Sequence, residues 1–185
     1  MIIREAVLED VPALNALIER SARVLSAGFY TERETDSAIR YVFGVDTTLI
    51  ADGTYYVVER EGHRVACGGW SKRRTLYGGD QRPVGEHSLL DPAVDAARIR
   101  AFFVAPECAR QGIGRRLLQA CVDAAAQAGF RELELMATLP GVPLYAASGF
   151  REVERVVENL PDGVPIQLLR MRRTLITTTM NSRFV

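Results

Sequence analysis

Histidine and cysteine are scarce in this chain of 185 residues: two histidines, His63 and His87, and three cysteines, Cys67, Cys108 and Cys121. The cysteines are odd in number and form no CxxC pair, which argues against a disulfide framework or a zinc site and for a reducing, cytoplasmic setting. No metal is expected. Neither charge sign is in excess, with 23 Lys+Arg against 23 Asp+Glu, so the totals call for neither nucleic acid nor an acidic membrane as partner. No apolar run approaches the roughly 20 residues that span a bilayer. The opening MIIREAVLEDV is charged where a signal peptide would be apolar. The length suits one well-buried domain, 1–175. The tail 176–185, ITTTMNSRFV, has no packing period and is expected to be loose.

What remains reads as α/β. Ile2-Ile3-Arg4 predicts a short strand. Asp10 and Pro12 open a helix whose apolar positions Val11, Leu14, Leu17, Ile18 and Leu25 recur at helical spacing. A loop over 26–36 leads to a second helix, Glu32 to Val42. Residues 54–59 and 64–71 form a hairpin around Glu61-Gly62. Residues 74–96 are rich in Gly, Pro and charge and predict a long irregular excursion. Then come a strand at 97–104 with Ile99, Ala101 and Phe103 on one face, a helix from about Gly112 to Ala128, and a strand at 132–137. A short helix at 143–148 and two strands, 151–156 and 165–173, complete the pattern.

The stretch ARQGIGRRLL, residues 109–118, places Arg110, Arg115 and Arg116 around the opening of a helix. A helix N-terminus carries partial positive charge, so cations there are unfavourable unless an anion binds. Free backbone N–H groups at that end bind anions, and Gly112 and Gly114 let a phosphate approach closely. The P-loop pattern GxxxxGK[ST] is absent. A dinucleotide fingerprint would need a third glycine at Leu117, directly after a strand. A glycine-relaxed loop with solvated arginines is the plainer alternative.

The run IRAFFVAPECARQGIGRRLLQACVDAAAQAG followed by LYAASGF resembles the acetyl-CoA-binding core of the GCN5-related N-acetyltransferase (GNAT) superfamily, from about Arg98 to Phe150. With Gly112 and Gly114 in register, the family's Gln/Arg position falls on Ala109, so that position can act only through its backbone. The resemblance implies the acyl-CoA N-acyltransferase fold: a mixed central sheet with splayed core strands, flanked by helices. It also implies acetyl-CoA as co-substrate. Backbone at Phe102, Phe103 and Val104 would hold the pantetheine arm, and the loop Arg110-Gln111-Gly112-Ile113-Gly114-Arg115 would hold the pyrophosphate. An N–H of Phe103 or Val104 could serve as an oxyanion donor. Any homodimer would form through the late strands or the tail, by analogy with the family.

Acetyl transfer needs a neutral amine, a stabilised oxyanion and a proton for the leaving thiolate. Tyr145 matches the family tyrosine that donates to the CoA sulfur, and with a pKa of about 10 it stays protonated at neutral pH. The base is open. Glu86, His87 and Asp91 lie in the excursion, and a water chain would serve equally. Tyr30 and Glu32 are candidate substrate contacts. No cysteine has a visible base partner, which disfavours a thiol acyl-enzyme. The expected activity is N-acetyl transfer to a small-molecule or peptide amine by direct attack. The competing expectation is a non-catalytic acyl-CoA-binding sensor module on the same fold.

Overall fold

The computed structural model describes residues 1–82 and 88–175; the expectations for Glu86, His87 and the tail 176–185 lie outside them. Seven strands form one sheet in the order β1-β2-β3-β4-β5-β7-β6. They are β1 (Ile2–Glu5), β2 (Tyr55–Arg60), β3 (His63–Ser71), β4 (Ala97–Val104), β5 (Glu132–Thr138), β6 (Arg151–Asn159) and β7 (Pro165–Thr174). Helices α1 (Val11–Leu25), α2 (Glu32–Tyr41), α3 (Thr47–Ala51), α4 (Ile113–Gln127) and α5 (Val142–Ala147) connect them. Every strand pair is antiparallel except β4–β5.

The two faces of the sheet follow from strand alternation. Leu133, Leu135 and Ala137 of β5 bury against Leu118, Cys121, Val122 and Ala125 of α4. Tyr55 and Val57 of β2 and Ile166 and Leu168 of β7 bury against Leu14, Leu17 and Ile18 of α1 and Ala38 of α2. α2 is held at its start by a capping box: the Thr31 hydroxyl accepts from the Glu34 N–H, and Glu34 accepts from the Thr31 N–H.

Asp10 departs from its expected role. It precedes α1, but its side chain makes no cap bond to that helix. Its carboxylate instead accepts from Arg4, Arg64 and the Val7 N–H. At 1% exposure it is too deep to stay charged without those partners. The short α3 was not foreseen. Two threonines and an isoleucine are weak helix formers, and the Asp46 carboxylate accepting from the Thr48 N–H sets its start.

β4 does not alternate as expected. Opposite the two-residue step Cys67 to Gly69, β4 steps three residues, from Phe103 to Arg100. The extra residue is a bulge, and Ala101 within it has φ +54°. Ile99 therefore faces α4, whereas Ala101 and Phe103 pack with α1 and α2. Arg100 and Ala101 sit on one side in succession, which a regular strand forbids. Two contacts hold the bulge. The Tyr55 hydroxyl donates to the Ala101 carbonyl at 3.1 Å. Gly68 leaves room on β3 for the Phe102 ring, which a Cβ there would strike.

β4 and β5 are paired only at Ala97–Leu133 and Arg98–Glu134. β5 then follows β7 as far as Thr138–Leu168. Beyond Arg98 the two parallel strands diverge and leave a gap in the middle of the sheet. The excursion returns beside β3, with Arg73 bridged to Leu89. Its near arm is tied down: Gly79 N–H donates to Val42, Asp80 N–H to Val45, and the Gln81 side chain to the Phe43 carbonyl.

Candidate active site

The sheet gap opens into a groove of about 470 Å³. Phe102, Phe103 and Val104 of β4 form one wall. Thr138, Pro140, Pro143, Leu144 and Tyr145 form the other. Ser21, Ala22 and Leu25 of α1, with Ser26 just past its end, close a side that the sequence reading missed. The signal was present as the small residues Ser21 and Ala22 following the bulky Leu14, Leu17 and Ile18 on the buried face of α1.

The groove runs to the N-terminus of α4, where Arg110, Gly112, Gly114 and Arg115 line it. Gly112 has φ +80°, a left-handed conformation, and a Cβ there would meet nothing within 4 Å. No side chain caps this helix and no acidic residue lies in its first turn. The first helical bond is donated by Arg116 to Gly112, so the amides before it point outward unpaired. Gly114 serves packing: a Cβ would sit 3.2 Å from Leu144 and 3.5 Å from Val104. Ile113 is 4% exposed in the core, and only its backbone remains for a ligand. The Gln111 side chain is taken by Arg60 and the Glu107 carbonyl. Neither Gln111 nor Ile113 lines the groove, unlike the other residues expected there.

The Ala105 N–H donates to Val65 of β3, and Phe103 lies opposite Cys67. Backbone groups alternate along a strand, so the Val104 N–H points away from β3 into the gap. Of the two oxyanion donors expected, Val104 has the direction.

On the far side of the same wall lies a smaller cavity of about 70 Å³. Phe43, Phe102, Phe103, Thr138 and Tyr145 line both spaces. Tyr145 stands at their junction, 8% exposed, its ring meeting Phe102 and Phe150 edge-on with centroids 6.4 Å and 5.8 Å away. Its hydroxyl has no hydrogen-bond partner among the described residues, and burial raises its pKa above the tyrosine range.

The family model for the acetyltransferase (GNAT) family matches residues 18–150. The chain belongs to this family. The family's structures share its fold at low identity. The GCN5-related N-acetyltransferase from Rhodopseudomonas palustris is 19% identical, with a TM-score of 0.70 over 94% of this chain and 95% of its own. The PaiA N-acetyltransferase from Thermoplasma acidophilum, solved with coenzyme A, is 16% identical, with a TM-score of 0.62 over 94% and 98%. The N-acetylglutamate synthase from Neisseria gonorrhoeae, complexed with coenzyme A and N-acetyl-glutamate, is 20% identical, with a TM-score of 0.59 over 95% of this chain and 35% of its own. No curated protein sequence matches significantly.

The other candidate contacts and bases fall elsewhere. The Tyr30 hydroxyl donates to the Gln167 carbonyl and accepts from the Leu139 N–H, which makes it a brace between β7 and the site wall. Glu32 and Asp91 line neither cavity; Asp91 instead accepts from the Ala93 N–H in its own turn. Cys67 and Cys121 are fully buried, and desolvation pushes the Cys67 thiol up to about 12, far from a nucleophile's range. Among the described residues no group of three or more His, Cys, Asp or Glu could hold a metal, and no helix is long and apolar enough to cross a membrane.

Proposed function

We propose that the chain is an acetyl-CoA-dependent N-acetyltransferase that moves an acetyl group to a primary amine by direct attack in a ternary complex. The observation that carries this is the junction at Tyr145. One cavity leads from it to an uncapped, arginine-flanked helix start, and the other is a smaller pocket beside Arg100 and Tyr77. Family membership supports the chemistry. The N-acetyl-glutamate bound in the gonococcal relative supports a small-molecule amine as acceptor here.

The residues divide the work. The α4 amides and the Arg110 and Arg115 guanidinium groups hold the pyrophosphate by charge and backbone bonds. The Phe102–Val104 edge, left unpaired by β5, takes the pantetheine arm as an added strand. The Val104 N–H donates to the thioester oxygen as negative charge develops there. The amine nitrogen bonds to the acetyl carbon and the carbon–sulfur bond breaks. Tyr145 gives its proton to the sulfur, and the proton lost by the amine restores the phenol through solvent. Among the described residues lining either cavity there is no carboxylate or imidazole, so water carries the amine proton out.

The test is release of free thiol from acetyl-CoA across an amine panel. Amine-dependent release that falls sharply in Tyr145→Phe supports the reading. Acetyl-CoA binding without release for any amine would instead favour a binding module.

A further inference from the structure

Arg100 is the buried charge that the transfer chemistry does not use. It lines the smaller cavity yet is only 7% exposed. Its Nη2 donates to the Gly78 carbonyl at 2.6 Å and lies 2.7 Å from Asp46 Oδ2. The bonds around this pair are incomplete. The Arg100 Nε–H has no acceptor, and Asp46 Oδ2, although close, receives no aligned hydrogen bond. A buried unsatisfied donor is costly and usually marks a missing partner.

The surroundings define that partner. Asp46 and Asp80 are both engaged at the start of α3, Asp46 accepting from the Thr48 N–H and Asp80 from the Thr47 N–H and hydroxyl. A second cation, Arg82, already paired with Glu158 at 3.0 Å, lies over the Tyr77 ring at 4.1 Å, and Tyr77 lines the cavity. Apolar side chains of Val42, Phe43, Met136 and Leu168 line other parts of it. A volume of about 70 Å³ admits only a few heavy atoms.

We infer that Arg100 is a specificity residue for the acceptor, selecting a short amine that carries a carboxylate, with Asp46 holding the guanidinium in place. The carboxylate meets the guanidinium when its closed-off Nε edge turns toward the cavity, apolar side chains line a short stem, and the amine reaches Tyr145. A guanidinium suits a planar carboxylate better than a point cation would. This rests on the acetyl-transfer reading above.

The test compares matched pairs on the wild-type chain: glycine with glycinamide, and β-alanine with β-alaninamide. The amide's amine is the less basic and so the more readily neutral, which biases the comparison against the inference. The expected result is a kcat/KM about 10- to 100-fold higher for the carboxylate member, set mainly in KM. The Arg100→Gln/Asp46→Asn double variant, which leaves no lone buried charge, should bring that ratio close to one while acetyl-CoA affinity holds. Equal use of acid and amide by the wild type overturns the inference, as does a preference that survives in the double variant. Calorimetric titration of the same pairs into CoA-loaded protein separates the two readings. If no amine releases thiol but the acids still bind about tenfold tighter than the amides, the acetyl-transfer reading fails and the Arg100 assignment stands. If neither turnover nor binding distinguishes them, the assignment fails as well.

Discussion

The Phe102 and Tyr145 rings meet edge to face with centroids 6.4 Å apart, joining the strand bulge to helix α5 across the gap in the sheet. This contact holds Tyr145 where the groove and the smaller cavity meet. In Tyr145→Phe the ring and its packing survive and only the proton is lost. kcat should fall by about 10²-fold, with the KM for acetyl-CoA nearly unchanged. Burial raises the Tyr145 pKa, so the phenol stays protonated through neutral pH. Turnover should therefore rise with pH as the acceptor amine loses its proton. Steady-state kinetics across pH would reveal a misassigned donor by an unchanged kcat or by a loss confined to KM.

Gly112 separates backbone strain from ligand approach. Its φ of +80° makes any side chain strained, and the space beside it is open. Gly112→Ala should cost roughly 1 kcal/mol of stability and leave most acetyl-CoA affinity. Gly112→Glu adds bulk and a negative charge at the same point. It should weaken acetyl-CoA binding about tenfold or more beyond the alanine variant. Calorimetric binding to both variants checks this, and equal affinities would place the pyrophosphate elsewhere.

The bulge depends on Tyr55, which is fully buried and donates to the Ala101 carbonyl. Tyr55→Phe should cost about 1 kcal/mol. It should also lower kcat, because the Val104 N–H loses its fixed direction. Ala101→Gly should relieve the positive φ and stabilise the fold by up to about 1 kcal/mol. Urea unfolding of both variants, read with kcat, tests whether the bulge is strained and positioned as described.

Asp10 links the first strand to acid stability. Hydrogen bonds from Arg4, then from Val7 and Arg64, hold its carboxyl well below the usual range against the opposing cost of burial. A depressed folded-state pKa stabilises above the unfolded value of about 4, and that stability is lost as pH falls below it. Asp10→Asn should cost about 2 kcal/mol at pH 7, and the difference from wild type should shrink towards pH 3. Urea midpoints at the two pH values measure it; a gap that stays constant would contradict the assignment.

Much of the α/β order was legible because it rests on local pattern. Leu117, Leu118, Cys121, Val122 and Ala125 at helical spacing define α4, and Gly112 marks its start. The face of Ala101 and Phe103 was misread, since a bulge adds one residue through pairing with a strand some 30 positions earlier, and no period within β4 records it. Tyr30 looked like a loop residue free for substrate, and only packing turned its hydroxyl towards Gln167 and Leu139.

The chain's own order of residues thus carries the proposed donor side. A glycine-relaxed, arginine-flanked helix start and a tyrosine four residues past Gly141 are local features, and local backbone chemistry expresses them directly. The proposed acceptor side depends on tertiary structure. Arg100, Asp46 and Tyr77 come from three separate segments, and they meet only because the bulge turns Arg100 inward and the excursion folds back over it. Long-range packing places those groups, and a linear pattern carries no record of it.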